Sequence, residues 1–205
     1  MKIERVVSEL LMSNMYILEE SGHGIIIDPC RDTSAFSPDI CYDRIILTHE
    51  HFDHISGVLL WQDLTGAQVI CSRKCADNIK SPAKNMSRYF SAFCELQTFM
   101  EVKGPVPSEE YACTADEVFT GSMGYEWNGH RFELIECSGH SPGSILILVD
   151  EKILFSGDTI LKEFPPDHRM SGKTGKVRAV REVPRISELR GGLTVYPGHL
   201  ESFRI

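Results

Sequence analysis

The chain lacks any apolar run approaching the roughly 20 residues that a membrane-crossing helix needs. That excludes a helical membrane protein. Its opening, "MKIERVVSELL", has neither the apolar core nor the small-residue cleavage site of a signal peptide. The cysteines lack the regular spacing of a disulfide framework. There are seven, an odd number, which fits reduced thiols in a cytoplasmic protein. Positive charge is scarce as well: the formal net charge of -8 argues against a general nucleic-acid binder. No internal repeat or low-complexity tract is visible. What is present, 42% hydrophobic and 24% charged residues over 205 positions, is the composition of one well-packed globular domain.

The scarcity of positive charge is uneven. Residues 162–190 hold eight Lys or Arg against four acids, a net of +4 where the rest of the chain carries -12. Inside this segment "SGKTGK" resembles a phosphate loop, but Asp167 stands where the first glycine is required, so nucleotide hydrolysis is rejected. The bland reading of the segment is a solvated face. The functional one is that Lys162, Arg169, Lys173 and Lys176 grip an anionic small-molecule substrate.

Short runs rich in Ile, Val or Tyr, bounded by Gly, Pro, Asp or Ser, predict strands over 3–7, 14–20, 24–29 and 44–49. One helix is expected over 53–66, with Ile55, Val58, Leu59 and Gln62 on its buried side. A strand over 67–72 and a short helix over 73–80 follow. Residues 81–120 read as an insertion or lid whose aromatics, Tyr89, Phe90, Phe93 and Phe99, wall a pocket or form a homodimer contact. Asn128-Gly129 marks a hairpin, and Asp150-Glu151 a second one. A helix over 176–189, disturbed by Pro184, and a strand over 193–199 complete the chain. Strands in two groups with helices between them imply two sheets packed face to face, with helices outside.

The chemistry concentrates in "ILTHEHFDHISG", where His49, His51, Asp53 and His54 crowd the end of an apolar strand. Left unpaired, such groups would desolvate and repel one another at a cost on the order of several kcal/mol. Bound cations remove that cost. Three further stretches repeat the pattern of apolar strand, small-residue turn and metal-capable side chain: "CSGHSPGS" with His140, "ILFSGDT" with Asp158 and "VYPGH" with His199. Five histidines and two aspartates suit two borderline cations, zinc first, with iron or manganese as alternatives. Two such cations about 4 Å apart would bring a bridging water to a pKa near 7 and polarise a carbonyl or phosphoryl group. Asp28 is expected to organise the neighbouring loops by hydrogen bonds. His23, His130 and His168 read as surface histidines, and Cys71 and Cys75 as structural thiols.

"THEHFDH", "GHSPGS", "FSGDT" and "YPGH", with "IIIDP" before them, resemble the successive motifs of the metallo-β-lactamase superfamily, nearest its glyoxalase II-like branch. The resemblance implies an αββα sandwich, two mixed β-sheets flanked by helices in a single domain over 1–205. It implies that His49, His51 and His140 hold one metal, that Asp53, His54 and His199 hold the other, and that Asp158 bridges them. Asp53 and Asp158 would then serve catalysis directly, on a small ester-like substrate with a thioester first, through a metal-bridging hydroxide. The chain departs from that branch in two places. It runs six residues past His199, without the helical domain that contributes to glutathione recognition, and "ILKEFPPDHRMSGKTGK" replaces the Gly-Arg-x-Asp loop. The rival readings are a lactonase on the same metal pair, a persulfide dioxygenase with one iron at His49, His140 and Asp158, and a non-catalytic metal-dependent binding module.

Overall fold

In the computed structural model, residues 1–97, 106–162, 186, 188 and 192–205 are described. A first mixed sheet has the order β1 (Lys2–Val7), β2 (Asn14–Glu20), β3 (His23–Ile27), β4 (Cys41–Ile46), β5 (Gln68–Ser72) and β6 (Glu117–Phe119). Its first three strands are antiparallel, and β3 through β6 run parallel. The second sheet comprises β7 (Ser122–Trp127), β8 (His130–Glu136), β9 (Ile145–Val149), β10 (Ile153–Gly157), β11 (Thr194–Pro197) and β12 (Phe203–Arg204). There, β10 and β11 pair in parallel and their neighbours pair antiparallel.

Side-chain alternation decides which layer each strand residue joins. Ile25 and Ile27 point between the sheets, with Tyr16, Leu18, Ile46 and Ile70, and meet Phe132, Leu134, Ile147 and Phe155 of the second sheet. Ile26, Ile45 and Val69 point the other way, toward Ile55, Val58, Trp61, Cys75 and Ile79 on the helical layer. Apolar cover on both faces explains why these strands read as unbroken hydrophobic runs. The outer face of the second sheet packs Leu148, Leu154 and Val195 against Ile186. Among the described residues, no helix is long and apolar enough to cross a membrane.

Both hairpins turn where expected. Asn128 and Gly129 have φ of 46° and 81°, and Asp150 and Glu151 have φ of 52° and 56°, the left-handed pairs that match strand twist. The strand ending at His49 is shorter than expected: β4 stops at Ile46, which leaves 47–49 as a loop. The single helix expected over 53–66 is two helices, α1 (Phe52–Ile55) and α2 (Val58–Thr65). The break lies at Gly57, whose N–H donates to the Pro29 carbonyl at 2.9 Å. A Cβ there would stand 2.0 Å from the Cys30 carbonyl oxygen. Restarting the helix rotates its buried side to Val58 and Trp61, so Leu59, expected inside, is 51% exposed.

The short helix expected over 73–80 is α3 (Arg73–Asn78), and the stretch expected as an insertion over 81–120 contains a helix, α4 (Phe90–Leu96), and ends in β6, an integral edge strand of the first sheet. Of its aromatics, Phe90 is buried with Phe52, Leu10 and Leu11, Phe93 packs beside them, and Tyr89 is exposed. Phe99 lies outside the described residues, as does most of the helix expected over 176–189. The pairing of β12 with β11 was not foreseen.

Gly57→Ala should therefore be costly in spite of the better helix propensity of alanine. The expected loss is about 2 kcal/mol, or about 4–8 °C in Tm for a chain of this size. Thermal unfolding followed by circular dichroism measures it, and an unchanged or higher Tm would show that the Cys30 backbone does not confine this position.

Candidate metal centre

The centre gathers where strands of both sheets end. Asp28 follows β3 in the left-handed region, with φ of 52°. Its Oδ1 accepts the Thr48 backbone N–H at 2.7 Å, and its Oδ2 accepts the Thr48 hydroxyl at 2.5 Å. The Thr48 hydroxyl, having donated to Asp28, accepts from His49 Nδ1 at 3.0 Å. This relay leaves the buried His49 Nε2 bare, with no hydrogen-bond partner. Asp28 Oδ2 also lies 3.2 Å from His54 Nδ1, and an ionised carboxylate there fixes the proton on that nitrogen. His54 Nε2 is thereby turned inward. Asp28 was expected to order loops in this way, and its oxygens are engaged in doing so.

Two triads of donor atoms result. One atom each from His49, His51 and His140 lie within 4.8 Å of one another, and so do atoms from Asp53, His54 and His199. His140 Nε2 and His51 Nδ1 are 2.9 Å apart. His54 Nε2 faces His199 Nε2 at 3.2 Å. Asp53 Oδ2 lies 3.4 Å from His54 Nε2 and 3.5 Å from His199 Nε2. Asp158, at the end of β10, stands between the triads. Its Oδ2 is 3.5 Å from His140 and 3.3 Å from His199, and its Oδ1 is 3.5 Å from His54. Gly198 makes room for that carboxylate, since a Cβ there would meet Asp158 Oδ1 at 2.2 Å.

Burial opposes charge throughout the cluster, and the carboxylates overcome it selectively. Burial disfavours the His54 cation, but Asp53, Asp158 and Asp28 raise its pKa to about 9. His199 is likewise raised to about 10 against its burial, by Asp158 and Asp53. Burial depresses His49 strongly, with His54 and His51 adding to it, and lowers His140 to about 4. Burial works against ionised Asp158 too, yet His199, His54 and His140 hold its pKa well below the ordinary value. Positive charge is thus wanted between the aspartates, and protons supply it wherever a cation does not. The donor set of imidazole and carboxylate, with His49 Nε2 and Asp158 Oδ1 buried and without a hydrogen bond, fits divalent zinc-like ions.

Glu50 escaped the sequence analysis. It is 1% exposed and braces the loop that carries His140. Its Oε2 accepts the Ser141 hydroxyl at 2.7 Å and the Gly143 N–H at 3.1 Å, and its Oε1 accepts Asn78 Nδ2 at 2.8 Å. Its position between two histidines carries no local signal of that role. The cue was the run of small residues in "SPGS", since a Cβ on Gly143 would meet Glu50 Oε2 at 2.5 Å. Of the residues expected to grip substrate, Lys162 is exposed, four positions beyond Asp158. Arg169, Lys173 and Lys176 lie outside the described residues.

The profile of the Metallo-beta-lactamase superfamily matches residues 9–204. The chain belongs to the metallo-β-lactamase superfamily. It is 26% identical to a probable metallo-hydrolase of Streptococcus pyogenes serotype M6, across 97% of this chain and 84% of that protein. It is 23% identical to a hydroxyacylglutathione hydrolase of Glaesserella parasuis serovar 5, across 90% of this chain and 64% of that protein. The crystal structure of BLEG-1 B3 metallo-beta-lactamase superposes with a TM-score of 0.77 at 24% identity, covering 98% of this chain and 93% of that one. That likeness is one of fold: two mixed sheets with helices outside, as the metallo-β-lactamase motifs led us to expect.

Glu50→Ala should strip three donors of their buried acceptor. Hydrogen bonds to a charged group contribute about 1.5–3 kcal/mol each, and supports of this kind alter metal affinity about 10–100-fold. A lowered Tm and a weaker metal-binding step in chelator competition are expected. Unchanged affinity would mean that Glu50 does not hold the His140 loop in register.

Proposed function

We propose that this metallo-β-lactamase superfamily chain is a dinuclear metal-dependent hydrolase of a small ester-like substrate, a thioester first. The observation that carries the reading is the position of Asp158, one carboxylate within 3.5 Å of histidines from both triads. His49, His51 and His140 would hold one divalent cation and Asp53, His54 and His199 the other, with Asp158 shared. Bound there, the pair supplies a water ionised near neutral pH and Lewis-acid polarisation of the scissile carbonyl.

The remaining work falls to the chain's own side chains. Asp28, through Thr48 and His54, presents the inward nitrogens in the required tautomer. Asp53, 6% exposed, would accept or relay the proton released in the reaction. Leu10, Leu11, Phe52 and Phe90 form an apolar cluster whose Phe52 immediately precedes Asp53 in α1. Cys94, on α4, packs against that cluster, and burial, then the charge of Asp53, pushes its thiol up to about 11. The likeness to hydroxyacylglutathione hydrolase supports a thioester, and the basic stretch over 162–190 supports an anionic one.

Protein purified without chelators should carry two equivalents of metal per chain by inductively coupled plasma mass spectrometry. It should turn over thioesters faster than acyl-homoserine lactones in parallel assays. One equivalent of iron, with oxygen uptake on persulfides, would replace this reading with a dioxygenase. A metallated protein inert across ester, thioester, lactone and phosphodiester panels would replace it with a binding module.

Asp158→Ala should lose at least one metal equivalent. Loss of several kcal/mol of Lewis-acid assistance corresponds to a fall of roughly a hundredfold or more in kcat/KM. Full metal content and full activity in that variant would end the shared-ligand assignment.

A further inference from the structure

A second group of donors sits at the opposite ends of the same strands. His23 opens β3 and Cys41 opens β4, and the two are register partners in the parallel pair. The register then skips: Gly24 pairs with Tyr42 and Ile25 with Arg44, so Asp43 is the extra residue of a β-bulge. Bulges are rare in parallel pairs, and they re-aim the side chain they carry. Here the bulge brings Asp43 onto the side shared by His23 and Cys41. One ligand atom from each of the three residues lies within 4.8 Å of the other two.

His23 Nδ1 lies 2.9 and 3.1 Å from the two Asp43 oxygens, and Cys41 Sγ lies 3.9 Å from Oδ1. Zinc-like ions bind nitrogen and oxygen at about 2.0–2.2 Å and sulfur at about 2.3 Å, so neighbouring ligands on a tetrahedral ion stand roughly 3.2–3.6 Å apart. The spacing of the three donors straddles that range. Trp127 Nε1 donates to Asp43 Oδ2 at 2.8 Å, the kind of outer hydrogen bond that orients a metal-binding carboxylate. His23 and Asp43 are only partly buried and Cys41 is exposed, which leaves a fourth position open to water.

From this arrangement we infer a second, mononuclear transition-metal site formed by His23, Cys41 and Asp43. A thiolate, an imidazole and a carboxylate select a borderline ion such as zinc, cobalt or nickel over magnesium or calcium. Binding releases the Cys41 thiol proton to solvent, and any proton on the ligating His23 nitrogen leaves with it, so that the imidazole binds neutral. The ion would clamp the start of β3 to the bulge of β4. Through Trp127 of β7, it would also brace the first sheet against the second. The site lies at the strand starts, about 16 Å along the sheet from the catalytic ends by the rise per residue. It does not depend on the reading of that centre.

Cobalt titration of the full chain tests it, because a thiolate on cobalt(II) produces a near-ultraviolet charge-transfer band and none of the seven donors of the main centre is a cysteine. Cys94→Ala serves as the parent, since Cys94 is the other thiol that is not fully buried. The expected result is a charge-transfer band in Cys94→Ala. Adding Cys41→Ala or His23→Ala should abolish it, with one equivalent less cobalt retained after desalting. No band in the parent, or a band that survives either second substitution, overturns the site and leaves His23–Asp43 an ordinary ion pair.

Discussion

The Asp28 carboxylate is the constraint from which the metal centre is built. Its two oxygens gather a backbone amide, a hydroxyl and an imidazole from the loop after β4 and from α1. A buried carboxylate is tolerated only when its oxygens are filled, so these elements are locked to the end of β3 and to each other. Gly57 completes the lock from the other side, by letting the Pro29–Cys30 backbone press against the turn between α1 and α2. The inward nitrogens of His49 and His54 follow from that geometry.

Three donors, His140, Asp158 and His199, arrive from the second sheet, and two braces set the loops that carry His140 and His199. Glu50 holds the His140 loop through Ser141 and Gly143. Asn14 and Tyr16 of the first sheet donate to the Pro197 carbonyl, just before His199. The Thr48 carbonyl accepts the Ile145 N–H at 2.8 Å and stitches the sheets together beside the site. Each triad draws donors from both sheets, so the apolar layer between the sheets sets the spacing within each triad. Within a centre so dry, the charge of each aspartate acts on its neighbours with little screening. This explains why His54 and His199 favour the cation while His49 and His140 favour the neutral ring.

Much of this was legible in the residues. Strands of Ile and Val bounded by Gly, Pro and Asp announced themselves, because sheets covered on both faces need apolar residues at every position. Asn128-Gly129 announced a hairpin because few residue pairs accept two left-handed conformations. The α1–α2 break did not, since the residue that forbids a continuous helix at Gly57 is Cys30, 27 positions away in sequence. β6 was hidden for a related reason. Its three residues are too few to show a period, and only their pairing with β5 makes them a strand.

For the site, the sequence by itself determined the donor types and their attachment to strand ends, since histidine and aspartate crowded beside apolar runs have few uses other than holding cations. It also determined the two left-handed hairpins, because backbone sterics at those turns are local. Only the tertiary structure decided which donors share a triad, because residues up to 146 positions apart, Asp53 and His199, meet only when the two sheets pack. It alone decided that Glu50 braces a loop while its neighbours His49 and His51 face the centre. The physical reason is common to both: the direction of a side chain in a loop is set by the hydrogen bonds that the loop makes to distant backbone, and no local pattern encodes them.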